Sequence, residues 1–186
     1  MTNPLHAEPL RPTAGPDGGV ANPLTRRAPV RLTDDQPLGY DDLLPDTTYV
    51  HGRFEYLTDE TAMPARVRGS LRFVPLAERV RHDRVQGSVG HLSTSLAAAH
   101  GGHIIAVSLG GFPSGPNLFP QSANFNVSAF ARLERSWRQA LAEGCEVAVD
   151  IALDVGDGVT PGVLVVTYWE DGQEETLVLL NEGHAQ

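Results

Sequence analysis

The chain has no lysine: all 14 of its basic residues are arginine. It has a single cysteine, Cys145, so an internal disulfide is excluded. That fits a reducing compartment, or an exported protein that needs no covalent staple. No apolar run approaches the roughly 18 residues of a membrane-spanning helix. The first residues, MTNPLHAEPLRPTAGPDGG, lack the apolar core of a Sec-type signal peptide. The expectation is that any export would use a non-Sec route. No basic residue follows Arg138, whereas residues 139–186 carry 10 acids. The net charge of −9 argues against a surface that attracts nucleic acid everywhere.

Charge is instead divided along the chain. Residues 1–59 hold 5 arginines against 9 acids, and residues 60–138 hold 9 against 4. A basic middle can draw an anionic substrate locally even in an acidic protein. With 186 residues, 41% of them hydrophobic, the chain can build one domain of ordinary size. Residues 1–37 are rich in Pro, Gly, Asp and Thr without a period of 2 or 3.6, which predicts a flexible tail. The domain is then expected over residues 38–183.

Within it, TYVHGRFEYLT predicts two short strands about a His-Gly turn, and RVRGSLRFV alternates as a half-exposed strand. Residues 76–102 are mixed and partly helical. GHIIAVSL gives a β-branched run, followed by the loop GGFPSGPNLFPQSANFN. Residues 128–144 form the clearest helix: Phe130, Leu133, Trp137 and Leu141 recur every three or four positions, and Gly144 supplies a stop. EVAVDIALDV, GVLVVTYW and EETLVLL are three alternating strands, the last two joined by the turn EDGQ. The fold class is α+β.

His103 stands between the glycine pair 101–102 and an apolar run that closes on Gly110-Gly111. Most strand histidines are structural. One at a bend beside a cleft can serve as a base, because imidazole titrates near neutrality. Asn117 and Asn126 alone read as turn residues, and Glu134 alone as half of an i, i+4 pair with Arg138. Phe130 and Trp137 read as core.

Taken together, GHIIAVSLGG, PNLFPQSANFN and AFARLE resemble the DNA/RNA non-specific endonuclease family, the ββα-metal or His-Me finger nucleases. Asn126 lies nine positions after Asn117, and Glu134 eight after Asn126, as in that family. The effector-like branch named for type VII secretion, EssD-like, is the branch resembled over about residues 39–182. The resemblance implies a ββα-metal core with an antiparallel sheet, one long helix and a C-terminal strand meander. It implies His103 as general base, and Asn117 with Pro120-Gln121 on the Asn-x-x-Pro-Gln loop. It implies Asn126 as ligand to Mg²⁺ or Mn²⁺, and Glu134 reaching the metal's waters and sharing in catalysis. DNA, RNA or both would be the substrate, cut without strong sequence preference, in the setting of a toxin or effector. Arg132, Arg135 and, more weakly, Arg72 are the candidate phosphate contacts.

Where the broad family has Asp-Arg before Gly-His, this chain has His100-Gly101. The phosphate-touching arginine must then come from elsewhere, or the fold has become a binding module that does not cleave. The aromatic residue on the helix is Phe130 where tryptophan is common. A zinc site of His91, His100 and His103 is a further alternative, though no cysteine pair accompanies it. The acidic C-terminal part suits either contact with a basic immunity protein or a solubilising surface.

Overall fold

The computed structural model describes residues 27–93, 96, 99–123, 125, 129–154 and 160–181. Nine strands and two α-helices are found among them. In chain order they are β1 (Val30–Arg31), β2 (Thr48–His51), β3 (Phe54–Thr58), β4 (Pro64–Ser70), α1 (Asp83–Gly90), β5 (Ala99–His103), β6 (Leu118–Ser122), α2 (Ala129–Glu143), β7 (Val147–Asp154), β8 (Val163–Glu170) and β9 (Gln173–Leu180). A seven-stranded sheet runs β1-β2-β3-β4-β7-β8-β9, while β5 and β6 pair separately. All pairings are antiparallel except β1 with β2.

Local chemistry accounts for most of these elements. Gly52, at φ +55°, takes the first position of the two-residue β2–β3 turn. Asp171 and Gly172, at φ +48° and +82°, close the β8–β9 hairpin in the left-handed geometry that matches strand twist. Along β7 the side chains of Val147, Val149, Ile151 and Leu153 are buried, and those between them face outward. Leu164 and Val166 continue the buried face on β8.

The apolar stripe of α2 is set against this face. Gly144, at φ +92°, ends the helix, with Cys145 N–H bonded to Ala140 O at 3.0 Å and Gly144 N–H to Leu141 O at 3.3 Å. Rings then run from β6 to β8. Phe119, Phe125, Phe130, Trp137 and Tyr168 follow one another at centroid spacings of 5.8, 5.2, 6.5 and 5.8 Å. The β5–β6 hairpin followed by α2 is the expected ββα unit, and the α+β class holds.

Three expectations about boundaries are corrected. The tail was expected to reach residue 37, yet β1 pairs with β2, and Leu32, 8% exposed, bonds its N–H to Val50 O at 2.8 Å. Only residues 1–26 of that segment lie outside the described residues, as do residues 182–186 at the far end. The strand expected over GHIIAVSL lies earlier, at Ala99–His103, and Ile104 and Ile105 are buried in the bend that follows. The expected long loop contains β6, whose residues are all buried. Pro120 concealed it, since proline in an apolar run usually signals a turn or a strand edge.

Candidate active site

His103 is the last residue of β5 and pairs with Leu118. Two contacts fix the approach to it. A Cβ on Gly101 would fall 1.8 Å from Gln86 O, so glycine there lets α1 close on β5. A Cβ on Gly102 would fall 1.9 Å from the Gln121 carboxamide, which lies across that position. Gln121 Nε2 donates to His103 O at 3.2 Å, clamping the backbone at the strand end. The imidazole Nε2 lies 3.4 Å from Pro113 O. A carbonyl can only accept, so this nitrogen carries the proton in a neutral ring, and Nδ1 holds the free lone pair. Burial pushes the His103 pKa down to about 4; the Pro113 carbonyl opposes the shift and the Arg81 charge adds to it. The ring is therefore neutral at pH 7, while a partial opening to solvent lets water reach it.

His103 faces a pocket of about 300 Å³. Glu134, from α2, lines it too, so the structure brings these two expected site residues together. Arg138 Nη2 lies 3.2 Å from Glu134 Oε2, and Arg138 Nε and Nη2 reach Ser108 Oγ at 3.3 and 3.1 Å. The pair read from sequence as a surface contact is partly buried. Burial raises the Glu134 pKa, and Arg138 pulls it down. Glu134 is the one acid among the described lining residues, against three arginines, Arg79, Arg81 and Arg138. The pocket is thus a positive site in a negative protein, suited to an anion.

Asn117 is not on this pocket. Its side chain is 0% exposed: Oδ1 accepts from Ile105 N–H at 2.8 Å, and Nδ2 donates to Ile105 O at 2.8 Å and Phe112 O at 2.6 Å. The expectation of a catalytic Asn117 is replaced by a positioning one: it staples the bend that leaves His103. Arg72 falls beyond the end of β4, not on a strand; it is exposed and bonds its N–H to Leu109 O at 3.2 Å. Arg132 and Arg135 are exposed on α2. None of these three arginines lines the pocket. Asn126 lies outside the described residues. His91 and His100 are exposed and do not join His103 on the pocket, so the three-histidine zinc site does not assemble there.

A family model for DNA/RNA non-specific endonucleases matches residues 45–168. The chain belongs to that family. The endonuclease fold is shared with solved structures of NucA from Streptococcus agalactiae. The form with magnesium bound superposes with a TM-score of 0.54 at 15% identity, covering 77% of this chain and 76% of that one. The form with no metal bound gives 0.52 at 17%, covering 78% and 75%. No curated protein matches the chain.

The endonuclease pocket contains two residues that the sequence reading passed over, Arg79 and Arg81. They lie in the mixed stretch LAERVRHDR, where no period marks a buried face. The available signal was the concentration of arginine itself. Arg66 and Arg68, by contrast, are engaged elsewhere: Arg66 forks onto Asp150 at 2.7 and 2.6 Å, and Arg68 reaches Glu55 at 2.7 Å.

The donor set suits a hard cation that keeps most of its water. One carboxylate, Glu134, faces the pocket, and no group of three or more His, Cys, Asp or Glu that could cage an ion occurs among the described residues.

Proposed function

We propose that this endonuclease hydrolyses DNA, RNA or both with the help of Mg²⁺ or Mn²⁺ and without strong sequence preference. The observation that carries this reading is the convergence of a neutral His103, Glu134 and three arginines on one pocket. A phosphodiester resists water because its charge repels the nucleophile and its leaving alkoxide is poor. His103 Nδ1 takes a proton from the attacking water as the new P–O bond forms and the bond to the departing sugar oxygen breaks. Glu134 and Asn126 would hold a hydrated divalent cation, which would supply charge neutralisation at the phosphate and the leaving oxygen. Arg138 favours the carboxylate form of Glu134 and so opposes the upward push that burial gives its pKa. Arg138 is bonded to Glu134 and Ser108, and Arg79 to Val74 O, which among the described lining residues leaves Arg81 as the guanidinium to meet a phosphate oxygen. It would take the place left by His100-Gly101.

The first test is digestion of plasmid and of RNA with Mg²⁺, with Mn²⁺ and with EDTA. Cleavage that EDTA abolishes is expected. Intact binding with no cleavage under any metal would make the chain a binding module of the same fold instead. Arg81→Ala is expected to lower turnover by about a hundredfold, the scale of one lost transition-state donor. Arg81→Lys should recover part of it. Equal rates for Arg81→Ala and wild type would return the role to another residue.

Arg132, Arg135 and Arg72 would meet flanking phosphates outside the pocket, making affinity fall as salt rises. The resemblance to the effector-like branch supports a toxin role, with an immunity protein as partner. Induced expression in bacteria tests it: growth should stop with the wild type and continue with His103→Ala.

A further inference from the structure

Phe73 has no part in that chemistry. It is 58% exposed, the one aromatic residue among the exposed large apolar side chains of the described residues. A lone surface ring is unremarked in most proteins. This one is held rather than frayed. Arg72 N–H bonds to Leu109 O at 3.2 Å and Val74 N–H to Ser108 O at 2.9 Å, so the backbone on either side is fastened to the pocket wall. Val74 is buried, at 5% exposed, which turns its neighbour outward.

Arg79 links the ring to the pocket. Its Cζ lies 5.9 Å from the Phe73 centroid, its Nε donates to Val74 O at 2.9 Å, and its side chain lines the pocket. Leu76 beside it is 74% exposed. Residues 71–84 carry Arg72, Arg79, Arg81 and Arg84 against Glu78 and Asp83, so the ring sits on a positively charged segment.

We propose that Phe73, with Arg79 and Leu76, forms a shelf on which an unpaired nucleobase stacks while a neighbouring phosphate enters the pocket, so that single-stranded nucleic acid binds in preference to duplex. A protruding ring reaches a base face only where the base is unstacked, and every base has such a face, so the contact does not demand sequence. The positive segment complements the strand's backbone. This deepens the nuclease reading by naming the form of substrate the same pocket takes.

The test uses binding alone. A fluorescein-labelled oligothymidylate of about 12 nucleotides, and a duplex of equal length, are titrated into the full chain in EDTA at low salt. Phe73→Ala should weaken single-strand binding about tenfold and leave duplex binding within about twofold. Phe73→Trp should retain single-strand affinity. Its added emission should be quenched by the oligothymidylate, a sign of stacking that a merely structural role would not give. Unchanged single-strand affinity in Phe73→Ala, or equal loss for both forms, overturns the proposal. So does self-association of the wild type that Phe73→Ala removes while oligonucleotide affinity stays constant, because the ring would then be a protein contact. Failure of the nuclease reading is recognised separately, by a wild type that binds both forms yet cleaves neither with any divalent metal.

Discussion

Replacing His103 with alanine is expected to lower cleavage in the presence of a divalent metal by about three orders of magnitude, within the range that a positioned general base contributes. Binding of nucleic acid in EDTA should stay nearly unchanged, because the proposed phosphate contacts are arginines. The pH profile carries a second readout. An exposed histidine would lose its basic form below about 6.5. His103 is pushed to about 4, so its neutral form persists well into acid, and the acid limb of kcat/KM for the free enzyme is expected there. The same shift acts on stability. Above about pH 6.5 the ring is neutral in folded and unfolded chains alike. As pH falls from there toward about 4, the unfolded chain binds a proton that the folded chain refuses, and stability declines. Denaturant titrations between these limits should therefore show a pH slope in the wild type that His103→Ala reduces. An acid limb near 6.5 would mean that water surrounds the imidazole and that burial does not tune it.

How much of this could be read in advance depends on the range of the interactions. Helix α2 and strands β7–β9 are written in local periods, and Gly144 and the Asp171-Gly172 pair mark their ends. The hairpin of β2 and β3 is equally local. Strand β1 is only two residues long and lies in a proline-rich and acidic stretch, so its pairing with β2 is a tertiary fact. Pro120 hid β6 for a related reason: a proline that would break a central strand is tolerated in a two-stranded ribbon. The site divides along the same line. His103 and Glu134 were picked out by the likeness of their motifs to the endonuclease family, and the fold brings them to one pocket. Arg79 and Arg81 were hidden because what qualifies them is a wall formed by β5, α2 and the Ser108 turn, far away in sequence. Exposure of Phe73 is likewise a property of the folded surface, since an isolated phenylalanine in RFV reads as core.

Asn117 shows the limit most plainly, and its substitution should have the largest effect on stability. An asparagine in a loop can cap, turn, ligate or staple, and only its surroundings say which. Here Asn117→Ala removes one acceptor and two donor hydrogen bonds at once. It leaves Ile105 N–H, Ile105 O and Phe112 O buried without that partner. Each such orphan costs about 1–3 kcal/mol, so a loss on the order of 4 kcal/mol is expected. In a domain of this size that lowers the melting temperature by about 10 °C or more. Asn117→Asp should be worse at neutral pH than alanine. It keeps the acceptor for Ile105 N–H but sets a carboxylate against two carbonyl oxygens, and acid should relieve part of the penalty by supplying a proton. The discriminating measurement is turnover per folded molecule, taken at a temperature where Asn117→Ala remains folded. A positioning residue predicts a much-reduced melting temperature with turnover reduced only as far as His103 loses its placement, and an unchanged pH limb. A direct catalytic role predicts the reverse, a normal melting temperature with turnover gone. The buried, fully bonded carboxamide favours the first outcome, because a group whose hydrogen bonds all serve the backbone has none left for a substrate.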